Sequence, residues 1–148
     1  MGLDSFIIFF AEYFPYLVAI GFVVYASSRA RWRFLVEGFG AGLLARGGVE
    51  VIRLFFHRPR PFVADPSIIP LISESSYSFP SGHAAFFFAL ATVVYAHNKQ
   101  MGWWFYAASA VIGLARVLAG VHYISDILGG AMLGIAVGYG VRRFITKR

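Results

Sequence analysis

The sequence predicts an all-α fold: an integral membrane helical bundle of about five transmembrane helices, with the N-terminus outside and the C-terminus in the cytoplasm. Three observations predict it. Hydrophobic residues fill 59% of the 148 positions and charged residues only 14%, more apolar than a water-soluble domain needs. Five apolar segments of near-spanning length recur along the chain. Positive charge gathers in alternate linkers. The length suits a single membrane-embedded domain, residues 1–148.

The first segment runs from about Ser5 to Tyr25 and the second from about Phe34 to Phe56. The third starts near His83 and ends near Ala96; the fourth runs from about Trp103 to Leu118 and the fifth from about Ser125 to Val141. A helix of roughly 17–25 apolar residues crosses a bilayer core. The third and fourth segments are slightly short, so their ends are expected to extend into the flanking polar residues.

The linkers set the orientation. "SSRARWRF" carries Arg29, Arg31 and Arg33, "HNKQ" carries Lys99, and the chain ends in "VRRFITKR". Positive loops stay cytoplasmic, and these three regions alternate correctly with five spans. Nothing after "MGLD" reads as a cleavable signal. There are no cysteines and hence no disulfide or thiolate chemistry. The formal charge of +6 could suit nucleic acid, but no basic helix or stacking pattern supports that partner.

The chemistry is expected in the two outward loops. One is long, "HRPRPFVADPSIIPLISESSYSFPSG", and its prolines forbid a continuing helix. The other is short, "AGVHYIS". Arg53, Arg58 and Arg60 cluster at the outer end of the second helix. Ser81, Gly82 and His83 open the third, where free N–H groups and a partial positive charge favour an anion. Gly82 lets the backbone approach closely. Arg116 sits near the end of the fourth helix. His122 and Asp126 open the fifth, and their i, i+4 spacing puts both on one face. Arginine forks match phosphate oxygens. One histidine can attack phosphorus while an aspartate orients its ring, and the other can protonate the leaving oxygen. No Asp/Glu/His set has a metal-ligand arrangement, and the arginines supply the positive charge a metal otherwise would. Neither metal nor cofactor is expected.

The residues that carry this chemistry resemble the three motifs of the type 2 phosphatidic acid phosphatase (PAP2) family of integral membrane lipid phosphatases. Arg53 is followed after six residues by Arg60-Pro61, Pro80-Ser81-Gly82-His83 is intact, and Ala115-Arg116 leads to His122 and then Asp126. All spacings match, over about half the chain. Two positions depart from the pattern: Arg53 replaces a lysine, and Ala115 replaces a serine. The family core commonly has six spans, so its first helix is expected to be missing here. "AEYFPYL", "PRPFVAD" and "SFPSGH" look like the undecaprenyl-diphosphate phosphatase branch. The resemblance implies His122 as a nucleophile forming a phosphohistidine, Asp126 as its orienting group and His83 as the general acid. Arg53, Arg60, Ser81, Gly82 and Arg116 would hold the transferring phosphate. The implied substrate is a polyprenyl diphosphate; phosphatidate, phosphatidylglycerol phosphate and a lipid A phosphate are alternatives, as is a non-catalytic lipid-phosphate binder.

The remaining polar residues have plainer readings. His57 and His97 read as interface residues, and Arg58 as a loop or headgroup contact. Arg46, Glu50 and Arg53 share one helical face; ionisable residues within a span face the bundle interior and pair there, so Arg46 and Glu50 read as a structural ion pair. Glu12 lies at a similar depth and could neutralise Arg46 or help fix Arg53. Gly130, Gly134 and Gly138 share the face of His122 and Asp126 and read as a close-packing stripe. Trp103 and Trp104 suit the cytoplasmic interface belt.

Overall fold

The computed structural model describes residues 2–28 and 32–146. Arg29, Arg31, Lys147 and Arg148, on which part of the charge alternation rests, lie outside the described residues. The described residues are helical with connecting loops and contain no strand. Five long helices occur where the five apolar segments were expected: α1 (Leu3–Ser27), α2 (Trp32–Arg53), α4 (Gly82–His97), α5 (Lys99–Leu118) and α6 (Ile124–Thr146). A one-turn helix, α3 (Pro61–Ala64), lies in the long loop with its proline at the first helical position, where no N–H is needed. By length and composition α1, α5 and Ile124–Ile145 of α6 can each cross a membrane, and α4 is apolar but shorter. α2 carries Arg33, Glu37, Arg46, Glu50 and Arg53. Large apolar side chains such as Leu43, Leu44, Leu114, Leu128 and Met132 point outward, the pattern of a multi-pass protein embedded in lipid.

Local chemistry accounts for the boundaries. Asn98 is all that separates α4 from α5; its side chain accepts from Met101 N at 3.0 Å and so starts α5 at Lys99 rather than Trp103. α2 stops at Arg53, short of the expected Phe56, because the chain turns toward Pro59. Gly120 (φ 75°) makes the tight turn after α5, where only glycine adopts a left-handed backbone without strain. α1 contains a π-helical turn at Phe9–Tyr13. In an α-helix the Ala11 carbonyl would accept from residue 15, but Pro15 has no N–H. The carbonyl accepts instead from Arg116 Nη1 at 3.3 Å.

α4 is the central helix, packed against α2, α5 and α6. Ala85, Ala89, Leu90, Ala91, Val93 and Val94 are all fully buried. The closest partner is α6, and the expected glycine stripe is the reason. A Cβ on Gly130 or Gly134 would collide with the carbonyl of Ser81 or Ala85, and one on Gly138 would lie 2.8 Å from the Ala89 carbonyl. The long loop is tied down rather than loose. Leu71 N donates to Ala119 O at 3.0 Å, and Ile72 joins a small apolar cluster with Ile7, Ala11, Ala115 and Val121.

The end of the bundle away from the long loop holds a second polar cluster. His97, expected to be a plain interface residue, instead contacts Glu37 Oε2 at 2.9 Å, and Arg142 donates to the same oxygen at 3.0 Å. Nothing in the local pattern around His97 signals partners 60 and 45 residues away. Trp103 and Trp104 are exposed beside this end.

The α4–α6 contact makes a direct prediction. Gly134→Val would drive a branched side chain into the Ala85 carbonyl, an overpacking that costs about 1–3 kcal/mol. The variant is expected to melt at lower temperature in detergent and to lose activity in parallel. Gly40→Val, at a position with open space around it, is the control that should change the melting point least.

Candidate active site

Five elements bring their polar residues to one end of the bundle: the C-terminus of α2, the long loop, the first turn of α4, the last turn of α5 and the loop into α6. Asp126 lies at the middle, fully buried. Its Oδ2 accepts from Tyr123 N at 2.8 Å, from Ser78 Oγ in a short contact, and from His122 Nδ1 at 3.4 Å. Its Oδ1 accepts from Arg58 Nη1 at 2.9 Å, and its backbone carbonyl accepts from Ser81 N at 3.0 Å. A buried carboxylate needs this many donors to remain ionised.

With Nδ1–H committed to Asp126, His122 presents Nε2 as its lone-pair nitrogen. Arg60 Nη1 lies 3.4 Å from that atom. Arg60 is itself held rigidly: Nη1 also donates to Val121 O at 2.8 Å, Nε to Ser76 O at 2.7 Å, and Nη2 to Glu74 Oε2 at 3.2 Å. The other Glu74 oxygen pairs closely with Arg116 Nη2. Arg53 joins through Ser76 Oγ at 3.2 Å and Pro80 O at 3.1 Å. The buried Nε–H groups of Arg53 and Arg116 have no acceptor, so donors remain for an anion.

The sequence-predicted residues therefore converge. Arg53, Arg60, Arg116, His122 and Asp126 form one connected network. Ser81 caps α4, its Oγ accepting from Ala84 N at 3.4 Å. His83 follows on the first turn of α4, partly buried, within the field of Arg116, Arg46 and Arg60. Gly82 has a role beyond backbone approach, since a Cβ there would collide with the Arg46 guanidinium.

Several readings need correction. Arg58 is not a mere loop or headgroup contact: it bonds Asp126 and Ser125 Oγ (2.7 Å) and stacks over the Tyr123 ring at 4.0 Å. Arg46 and Glu50 pair as expected (3.4 Å), and Glu50 also takes Arg53 (3.1 Å), a part the sequence left open to Glu12. Glu74, Ser76 and Ser78 did not stand out in the sequence. Their signal was the serine-rich run "SESSYS", one residue before the Pro-Ser-Gly-His motif, too polar for a span and too short for a domain.

Electrostatics fit an anion site. Burial would raise the Glu74 carboxyl, but Arg116 and Arg60 outweigh it and hold the group below its ordinary value. Burial pushes His122 below the usual histidine value; the Asp126 hydrogen bond works against this, and Arg116 and Arg60 add to the lowering. Arg46, Arg53, Arg58, Arg60 and Arg116 face Glu50, Glu74 and Asp126. Guanidiniums outnumber carboxylates in these pairs, as an anion site requires.

The comparisons agree with this chemistry. The model of the PAP2 superfamily matches residues 12–148. The chain is 31% identical over 136 residues to the bacitracin transport permease protein BcrC of Bacillus licheniformis, covering 90% of this chain and 67% of that one. It is 30% identical over 149 residues to the undecaprenyl-diphosphatase BcrC of Bacillus subtilis, covering 96% and 75%. Among solved structures, the crystal structure of Aquifex aeolicus LpxE superposes with a TM-score of 0.77 at 28% identity, covering 95% of this chain and 86% of that one.

A lowered His122 predicts the pH profile. The imidazole must be neutral to present Nε2, and a lowered value keeps it neutral to below its usual midpoint. The acid limb of kcat/KM is therefore expected below about pH 6.5. A limb at or above pH 7, in a profile of hydrolysis against pH, would contradict the burial argument. Ser78→Ala removes one of the donors to Asp126 and should lower kcat more than it raises KM.

Proposed function

The chain belongs to the PAP2 superfamily and is a membrane lipid phosphatase, and from that premise we propose that it hydrolyses a polyprenyl diphosphate, of the undecaprenyl type, to the monophosphate through a phosphohistidine. The observation that carries the reading is the His122–Asp126 pair, with Nε2 facing the Arg60 guanidinium at 3.4 Å. Nε2 attacks the terminal phosphorus, the bridging P–O bond breaks, and the lipid monophosphate departs with the electron pair. Asp126, held by Ser78, Tyr123 N and Arg58, stabilises the charged ring that results. Arg53, Arg60 and Arg116 carry the transferring group, with Ser81 and Gly82 beside it at the head of α4. His83 supplies a proton to the leaving oxygen where one is needed. It then takes one from the water that opens the phosphohistidine. The arginines neutralise charge as a metal would in other phosphoryl-transfer sites.

The substrate reading follows the similarity to a protein named undecaprenyl-diphosphatase, together with the "AEYFPYL" and "PRPFVAD" stretches. A phosphatase of another lipid phosphate would use the same residues. The permease name of the Bacillus licheniformis relative raises a binding or transport role. Such a role needs the arginines but not an oriented His122, and the buried donors around Asp126 favour catalysis. We read all five long helices as spans, with the site on the outer face and Arg33, Lys99, Arg142 and Arg143 on the cytoplasmic side.

Three outcomes test this. His122→Ala should abolish phosphate release yet still bind a phosphate analogue such as tungstate, whereas Arg60→Ala or Arg116→Ala should weaken binding as well; near-normal turnover by His122→Ala would sink the nucleophile. Phosphate release from a panel of lipid phosphates should favour the polyprenyl diphosphate and survive EDTA; complete loss restored by magnesium would refute the metal-free route. Cysteine at Ser75 should label from outside intact cells and cysteine at Gln100 should not; the reverse pattern would invert the topology.

A further inference from the structure

We propose that Arg46 and His83 form a second phosphate subsite, one that takes the lipid-side phosphate of a diphosphate while the Arg60–Arg116–His122 cluster takes the terminal one. The inference rests on the diphosphate reading above and deepens it. Arg46 lies seven residues before Arg53 on α2, ~10 Å along the helix axis at 1.5 Å per residue. An arginine at that depth is costly in a membrane unless it faces a polar interior or a ligand. Its side chain is 45% exposed, yet the guanidinium rests on Gly82, so closely that a Cβ there would collide with Nη1. That puts it over the first turn of α4, one residue from His83.

The guanidinium is also unspent. Its contact with Glu50 runs through Nε alone, at 3.4 Å, and Glu50 is shared with Arg53 at 3.1 Å. Among the described residues Arg46 donates no hydrogen bond from either Nη. A cavity of about 260 Å³ opens at this point. Arg46, Gly82 and His83 form its polar end, and Pro15, Ala19 and Phe86 form apolar walls suited to a prenyl tail. His83 lines this cavity beside Arg46, and the charges of Arg60 and Arg116 also act on it. A charged fork and apolar walls thus adjoin at His83, as a lipid-side phosphate and its tail require.

The chemistry gives Arg46 and His83 different weights on different substrates. When His122 Nε2 bonds to the terminal phosphorus of a diphosphate, the bridging P–O bond breaks and its electron pair stays on the lipid monophosphate. That leaving group has a pKa near ~6, so it departs as an anion and needs positive charge beside it more than a proton. When the substrate is a monophosphate, the leaving group is an alkoxide. It needs the His83 proton and offers Arg46 no phosphate to hold.

The test compares farnesyl diphosphate with farnesyl phosphate, which share one tail, on the detergent-purified full chain. Arg46→Gln should lower the diphosphate-to-monophosphate ratio of kcat/KM by about tenfold or more, as expected for a lost charge-assisted hydrogen bond. Arg46→Lys should restore part of it. A ratio unchanged from wild type in Arg46→Gln overturns the subsite while leaving the proposed function standing. Wild type that fails to hydrolyse the diphosphate overturns both. Should Arg46→Gln not fold, the wild type and Arg46→Lys still decide the matter: methylenediphosphonate should inhibit the wild type more tightly than methylphosphonate does, by a margin that shrinks in Arg46→Lys. Equal inhibition by the two in the wild type counts against the subsite.

Discussion

The site depends on keeping one carboxylate ionised where no water reaches it. Asp126 is fully buried, and a buried charge without partners is untenable. Four groups from three places meet the demand: His122 and Tyr123 N from the loop before α6, Ser78 from the long loop, and Arg58 from the chain just beyond α2. Asp126 also anchors the head of α4 through its backbone carbonyl and Ser81 N. Satisfying one acid thus fixes the register of the loop, the start of α4 and the ring orientation of His122 together. Removing a partner from such a group costs about 3–5 kcal/mol, so geometry and stability are coupled here.

The second constraint is how closely α4 and α6 approach. Gly130, Gly134 and Gly138 let α6 lie directly on the α4 backbone. This contact brings the start of α6, with His122 and Asp126, beside the start of α4, with Ser81, Gly82 and His83. Wider packing would separate the two histidines. Small residues on α4 itself, Ala84, Ala85 and Ala89, complete the contact. Two helix faces built of small side chains do in the membrane what large apolar ones do in a water-soluble core.

Glu74 ties the two forks together. Its carboxylate engages Arg60 and Arg116 at once, and the two arginines hold its carboxyl below the ordinary value. Under the proposed function a phosphate would compete with Glu74 for the same donors, one anion for another.

The sequence by itself determined what short range can encode. His122 and Asp126 are four residues apart, which keeps them within reach of each other, although His122 lies in the loop before α6 and not, as the spacing suggested, on one helical face with Asp126. The glycine stripe, the Ser81 cap and the apolar lengths of the helices are likewise set by periodicity and local hydrogen bonding. Only the tertiary structure decided which of the remaining polar residues enter the site. Arg58 meets Asp126 across 68 residues, Glu74 meets Arg116 across 42, and the Ala11 carbonyl meets Arg116 across 105. Nothing periodic relates such pairs, so Arg58 and His97 read as bystanders, whereas the Arg46–Glu50 pair, one helical turn apart, was legible in the sequence. What selects the true partners is the need of each buried charge for a counter-charge or donor. That need is met by whichever group packing brings near, and packing is a property of the whole bundle rather than of any stretch of it.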